Sequence, residues 1–144
     1  MSEPAWPFSH VDEVRFGDLD TQGHLNNVAF LVFVESARIA YVVAVARKHG
    51  EDFGTLQDVL TFMIVENKIT YRSPGRYGER IETRLRPASV GRSSFRMEFE
   101  MRVDERVLAD GYSVLVAYDP AAGRPTRVPE ALRERLIADG ALAR

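Results

Sequence analysis

The 144-residue chain contains no cysteine. That absence excludes disulfides, thiolate-bound metals and a cysteine nucleophile together. It fits a reducing compartment, and a cytoplasmic location is expected. Histidine is also scarce. Only His10, His24 and His49 occur, too few without cysteine to suggest a zinc site, and no metal is expected. A basic excess is missing: 19 Lys and Arg against 21 Asp and Glu leave a net charge of −2, which argues against a general nucleic-acid binder. There is no Gly-x-Ser-x-Gly elbow, phosphate-binding loop or dinucleotide fingerprint. Met1–His10 has no basic start followed by an apolar run, so no signal peptide is expected.

What remains is an ordinary globular mixture, 45% hydrophobic and 28% charged. Its length suits one domain over residues 1–144. The run Val28–Ala46 nearly reaches the length of a membrane span, but Glu35, Ser36 and Arg38 interrupt its middle. A charge there costs about 2.5–3.5 kcal/mol on insertion scales. No span is therefore expected. The better reading is a helix apolar nearly all round, hence buried. Asn26 and Asn27 suit its start, and Gly50 its stop after about His49. Glu35 and Arg38, three apart, can pair on one face of it.

The rest reads mostly as strand. Residues 11–16 form a short strand with Val14 and Phe16 facing one way and Val11 the other. Further strands are expected over 60–72, 79–90, 95–103 and 106–118. The clearest is 95–103, where Phe95, Met97, Phe99, Met101 and Val103 alternate with Arg96, Glu98, Glu100 and Arg102. Pro129 opens a short final helix with Leu132, Leu136 and Ile137 on its apolar side. The order implies an α+β fold, an antiparallel sheet curled around one central helix. One helix cannot cover both faces of a five-stranded sheet, so a homo-oligomer is expected.

The chemically dense segment is Phe16–Arg38, FGDLDTQGHLNNVAFLVFVESAR. Carboxylates, glycines, a histidine and two asparagines precede a helix start, where unpaired N–H groups can polarise a carbonyl. A carboxylate beside such a start can act as base or nucleophile. The plainer reading is that these residues only make a turn and a cap. Asp18-x-Asp20-x-Gln22-Gly23 begins like a calcium loop, but its twelfth position is Ala29 where a glutamate is needed.

Asp18-x-Asp20-x-x-Gly23, Asn27 and Glu35-x-Ala37-Arg38, followed by Ile69-x-Tyr71-x-x-Pro74-x-x-x-Gly78-Glu79, resemble the hotdog-fold acyl-CoA thioesterases. The branch is that of 4-hydroxybenzoyl-CoA thioesterase and the Tol-Pal-associated thioesterase, and the likeness covers about residues 10–120. It implies a five-stranded antiparallel sheet around a long helix, with a short C-terminal helix. It also implies subunits joined edge to edge as dimers or tetramers, with active sites at the subunit interface. It makes Asp20 the catalytic carboxylate, and the backbone N–H groups of Asn27 and Val28 the donors to the thioester carbonyl. The substrate would be acyl-CoA, with no cofactor. By the resemblance Arg92, beside Ser93 and Ser94, would meet the pantetheine arm or nucleotide, while Phe30, Phe33, Phe62 and Tyr71 are each either substrate-binding residues that line an acyl pocket or core and interface residues. Arg72, Arg76, Arg124 and Arg127 are weaker phosphate candidates. Gly23-His24-Leu25-Asn26-Asn27 is instead similar to a pattern of acyl-ACP thioesterases, which leaves the carrier open. His24 is then either a catalytic helper that orients water or Asp20, or a structural residue that fixes the loop. Glu35 is either a second acid or the ion-pair partner of Arg38. A non-catalytic acyl-binding module is the rival from another class. A hydratase would want Asp-x-Asn-Pro-x-His, which Asp20 and His24, four apart, do not form.

Overall fold

Alternating side chains build a sheet whose inner face is apolar, and one long apolar helix fills it. The computed structural model describes residues 6–49 and 61–144. In chain order the elements are β1 (Phe8–Glu13), a 3-10 turn (Phe16–Asp18), α1 (Asn27–His49), β2 (Phe62–Tyr71), β3 (Arg80–Val90) and β4 (Ser94–Val103). They are followed by β5 (Arg106–Asp119), β6 (Arg124–Pro125), α2 (Glu130–Ala138) and β7 (Leu142–Ala143). The main sheet runs β1–β3–β4–β5–β2, antiparallel throughout, with β6 on β5 and β7 parallel to β3. This is the hotdog arrangement. The expected stop at Gly50 and the start of the 60–72 strand lie outside the described residues.

Inner-face residues of β3 and β4, among them Ile81, Leu85, Met97, Phe99 and Met101, are buried against Phe30, Phe33, Val34, Ala37, Tyr41 and Val45 of α1. The opposite face of the sheet stays polar through a ladder of ion pairs, Arg84 with Glu82, Arg86 with Glu98 and Arg102 with Glu100. Such partly exposed pairs each add little stability.

Three expectations change. The first strand ends at Glu13, so Val14 is buried while Phe16, carried off in the 3-10 turn, is 81% exposed. Ile137 likewise turns outward while Leu132 and Leu136 are buried. Third, α1 is not covered all round. Val28 and Val32 are 65% and 50% exposed, with Glu35 exposed on the same stripe. Edge strand β2 is equally open, with Met63, Ile64 and Val65 exposed and a bulge between Ile64 and Glu66.

The far end of α1 is tied to α2 by a buried phenol. Tyr41, 1% exposed, donates to Asp139 Oδ2 at 2.7 Å, and Arg135 Nε donates to the same oxygen at 2.9 Å. Burial, reinforced by the Asp139 carboxylate, pushes the Tyr41 pKa well above the usual tyrosine value. The phenol is therefore neutral in the fold, but titrates near pH 10 when unfolded. Its stabilisation is complete below about pH 10 and declines as pH rises toward the folded-state value. Tyr41→Phe is expected to cost about 2 kcal/mol at neutral pH and to flatten the loss of stability above pH 10. Urea titrations of both proteins at neutral and alkaline pH check this.

Candidate active site

The loop before α1 is held closed by its own backbone. Asp20 N–H donates to the His24 carbonyl at 2.8 Å, and Gly23 N–H to the Asp20 carbonyl at 3.0 Å. The turn places Gly23 at φ +80, a conformation that glycine adopts without steric cost. Asp20 Oδ1 accepts from Gln22 N–H at 2.9 Å and His24 N–H at 3.1 Å. Its other oxygen, Oδ2, accepts no hydrogen bond from the described residues. One oxygen is thus fixed and the other is left for chemistry, the layout expected of a positioned base or nucleophile.

Around this turn the chain is pinned at both ends. Val14 pairs with Gly78 and Glu79, and Leu25, buried, donates its N–H to the Gly75 carbonyl at 2.7 Å. Gly75 lies directly beneath Leu25. A Cβ there would come within 2.9 Å of the Leu25 Cβ. Asn26 N–H donates to the Asp18 carbonyl at 2.8 Å, and Asn26 Oδ1 accepts from Val28 N–H at 2.9 Å. Asn26 is therefore the N-cap of α1.

That cap alters one expected role. Of the two amides assigned to the carbonyl, Val28 N–H is already occupied. Asn27 N–H has no acceptor among the described residues and carries the partial positive charge of the helix end. Tyr71, reaching from the end of β2, donates its O–H to the Asn27 carbonyl at 3.1 Å and meets Phe30 edge-on at 5.1 Å. It braces the helix start while remaining 45% exposed. The His24 backbone, not its ring, fixes the loop; the imidazole bonds none of the described residues. Nor do Glu35 and Arg38 form an ion pair. Glu35 is exposed, while Arg38 is buried and turned to Ser113.

Asp20 is joined to His24, and Tyr71 to Asn27, at the two ends of one loop, but Arg92, Ser93 and Ser94 do not join them. β3 runs from Arg80, beside the Asp20 loop, to Val90, about 33 Å away at the rise of a strand. Past that far end, Arg92 and Ser93 line a polar cavity of about 580 Å³ with Asp119, Arg124, Thr126 and Arg127. Ser94 starts β4 beside it, its carbonyl accepting from Gly91 N–H. Arg124 and Arg127, weak as single candidates in the sequence, thus gain weight by converging on Arg92. Arg72 is committed to Asp110 at 2.6 Å on the outer face. The sequence did not single out Asn26 as the occupant of the Val28 amide; two adjacent asparagines look alike as caps until the first helical residue is fixed. Among the described residues, no three of His, Asp and Glu stand together as metal ligands.

Comparison with known proteins gives consistent matches. A family model described as the thioesterase-like superfamily matches residues 14–136. A 1,4-dihydroxy-2-naphthoyl-CoA hydrolase of Synechococcus elongatus is 24% identical over 123 residues, covering 85% of this chain and 90% of that protein. A Thermus thermophilus thioesterase, solved with coenzyme A and zinc, is 33% identical at TM-score 0.77, covering 92% of this chain and 93% of that one. A thioesterase-superfamily structure from Jannaschia sp. CCS1 is 30% identical at TM-score 0.80, covering 96% of this chain and 87% of that one.

Proposed function

Since the chain belongs to the thioesterase-like superfamily and is a thioester hydrolase of hotdog fold, we propose that it cleaves acyl-CoA to the free acid and CoA through Asp20. The observation that carries this reading is a half-engaged Asp20 carboxylate in the same pinned loop whose end leaves the Asn27 N–H unpaired among the described residues. The carbonyl oxygen of the thioester takes up negative charge as it is attacked, and Asn27 N–H at the helix end receives it. Asp20 Oδ2 either removes a proton from the attacking water or attacks the carbon itself, giving an anhydride that water then opens. In both routes the C–S bond breaks and the sulfur departs as thiolate. A thiol pKa near 8.5 makes a strong general acid unnecessary. His24, with its ring free of structural bonds, is suited to orient the water.

The functional unit is a dimer paired through β2. Two considerations support this. The open β2 edge lies near Glu35 of the exposed α1 stripe, whose Val32 faces the β1 side beside Asp12 and Glu13, and exposed Val28 and Val32 are apolar surface that a second copy would cover. Moreover, Tyr71 marks the Asn27 end of β2, and Phe62 the Arg92 end, opposite Ala117. Antiparallel pairing of two β2 strands puts one copy's Tyr71 level with the other's Phe62. Each Asp20 loop then faces the Arg92–Arg124–Arg127 cavity of its partner, which suits the phosphates of a CoA nucleotide. This favours CoA over a carrier protein. A cytoplasmic setting, where such thioesters and a reduced protein coexist, completes the reading.

The test is a panel of aliphatic and aromatic acyl-CoAs with detection of the released thiol, beside light scattering of the purified protein. Release of free thiol from a dimer or larger assembly supports the proposal. Saturable acyl-CoA binding without turnover would point to a binding module, and a stable monomer would contradict the shared site. Arg124→Ala with Arg127→Ala is expected to raise KM for acyl-CoA by about tenfold, the effect of losing one or two charge-assisted contacts. The same pair should leave acyl-pantetheine, which lacks the nucleotide, unchanged. An equal effect on both substrates would count against a nucleotide site.

A further inference from the structure

A second cavity, of about 110 Å³, opens between α1 and β2 and is lined by Glu35, Arg38, Ile39, Phe62, Ile64 and Leu115. Its walls are apolar apart from the two charged groups, and those are unequal. Arg38 is only 7% exposed, while Glu35 is exposed. Arg38 Nη1 donates to Ser113 Oγ at 3.1 Å, and Ser113 Oγ donates to Asn67 Oδ1 at 2.6 Å. That is the guanidinium's one hydrogen bond among the described residues, although it carries five N–H donors. Burial lowers the Arg38 pKa, and the nearby Glu35 charge offsets this only in part. A buried cation with unused donors at the base of an apolar cavity is the complement of an anion on an apolar stem.

Resting on the thioesterase reading above, we propose that Arg38 is a specificity-determining residue that binds a carboxylate at the far end of the acyl chain, so that ω-carboxyacyl thioesters are preferred substrates. A carboxylate matches the guanidinium fork in plane and charge. Ile39, Phe62, Ile64 and Leu115 take the methylenes leading to it. A methyl-ended chain fills the same cavity but leaves the cation unpaired. Arg38 stands ten residues along α1 from Val28, about 15 Å at the helical rise, which calls for several methylenes between the carboxylate and the thioester. Glu35, at the mouth of the cavity, opposes the incoming anion.

The experiment compares kcat/KM for matched acyl-CoA pairs of equal length, one methyl-ended and one ω-carboxylated, over a range of lengths. The wild type is expected to favour the carboxylated member by about tenfold at its best length. Arg38→Gln should abolish the preference, Arg38→Lys should keep part of it, and Glu35→Gln should raise it. Because the readout is a ratio within one protein, partial unfolding of a variant cancels. Should Arg38→Gln fail to fold, the wild-type ratio and its rise in Glu35→Gln decide the matter alone. Cleavage of methyl-ended chains with no carboxylate preference at any length overturns the Arg38 assignment by itself. Cleavage of neither series overturns the thioesterase reading beneath it.

Discussion

Asp20→Asn is expected to lower kcat on acyl-CoA by about 10³-fold, the usual range for loss of a positioned base. The change is nearly isosteric. The amide oxygen can still accept from Gln22 and His24 N–H, so the turn persists. What disappears is the ability of the second position to take a proton or to attack carbon. The variant should therefore match the wild type in melting temperature and oligomeric state while failing in turnover. Steady-state kinetics and a thermal melt on the same samples check both halves. A variant that keeps more than a tenth of the wild-type kcat would show that Asp20 does not carry the chemistry. In a single turnover in oxygen-labelled water, an unlabelled product acid with label in Asp20 identifies the anhydride route, opened at the aspartyl carbonyl, because direct attack by water always labels the product acid.

The largest structural effect is expected at Gly111, in the middle of β5, opposite Ile69 of β2 and Phe99 of β4. A Cβ built there would lie 1.8 Å from the Lys68 carbonyl oxygen. No real contact is that short, so the β2 backbone would have to move. The obstacle is a main-chain group within the β2–β5 ladder, not the end of a flexible side chain. Gly111→Ala is therefore expected to cost about 3 kcal/mol, the upper range for overpacking, and about 10 °C in melting temperature for a domain of this size. Because β2 is also the proposed dimer edge, the variant should shift toward monomer. Thermal unfolding with light scattering reads both. A melting temperature within 2 °C of the wild type, about the shift from 1 kcal/mol or less, would mean that β2 relaxes freely away from β5.

Much of the fold was legible because the relevant signals are local. The alternation from Phe95 to Met101 and the apolar run after Asn27 each specify an element without reference to the rest of the chain. Strand alternation carried three residues past Glu13 points Phe16 inward, but the strand ends at Glu13. A backbone turn there reverses which side faces the core. The exposure of Val28 and Val32 was equally hidden. Hydrophobic type signals that a residue prefers cover, not which chain supplies it.

The site divides in the same way. The composition and spacing around Asp20, Gly23, His24 and Asn27 determined the kind of chemistry available: a carboxylate and a helix start within one short loop, and no cysteine to compete. Only the tertiary structure decided which atoms are free. Asn26 takes the Val28 amide and leaves that of Asn27 unpaired; Arg38 turns from Glu35 toward Ser113, 75 positions away; and Arg92 meets Arg124 and Arg127 far from Asp20. The physical reason is range. Turn, cap and periodicity are set by neighbours a few residues apart and are written in the sequence. The availability of a donor depends on groups that the folded sheet brings alongside it, and no spacing along the chain records them.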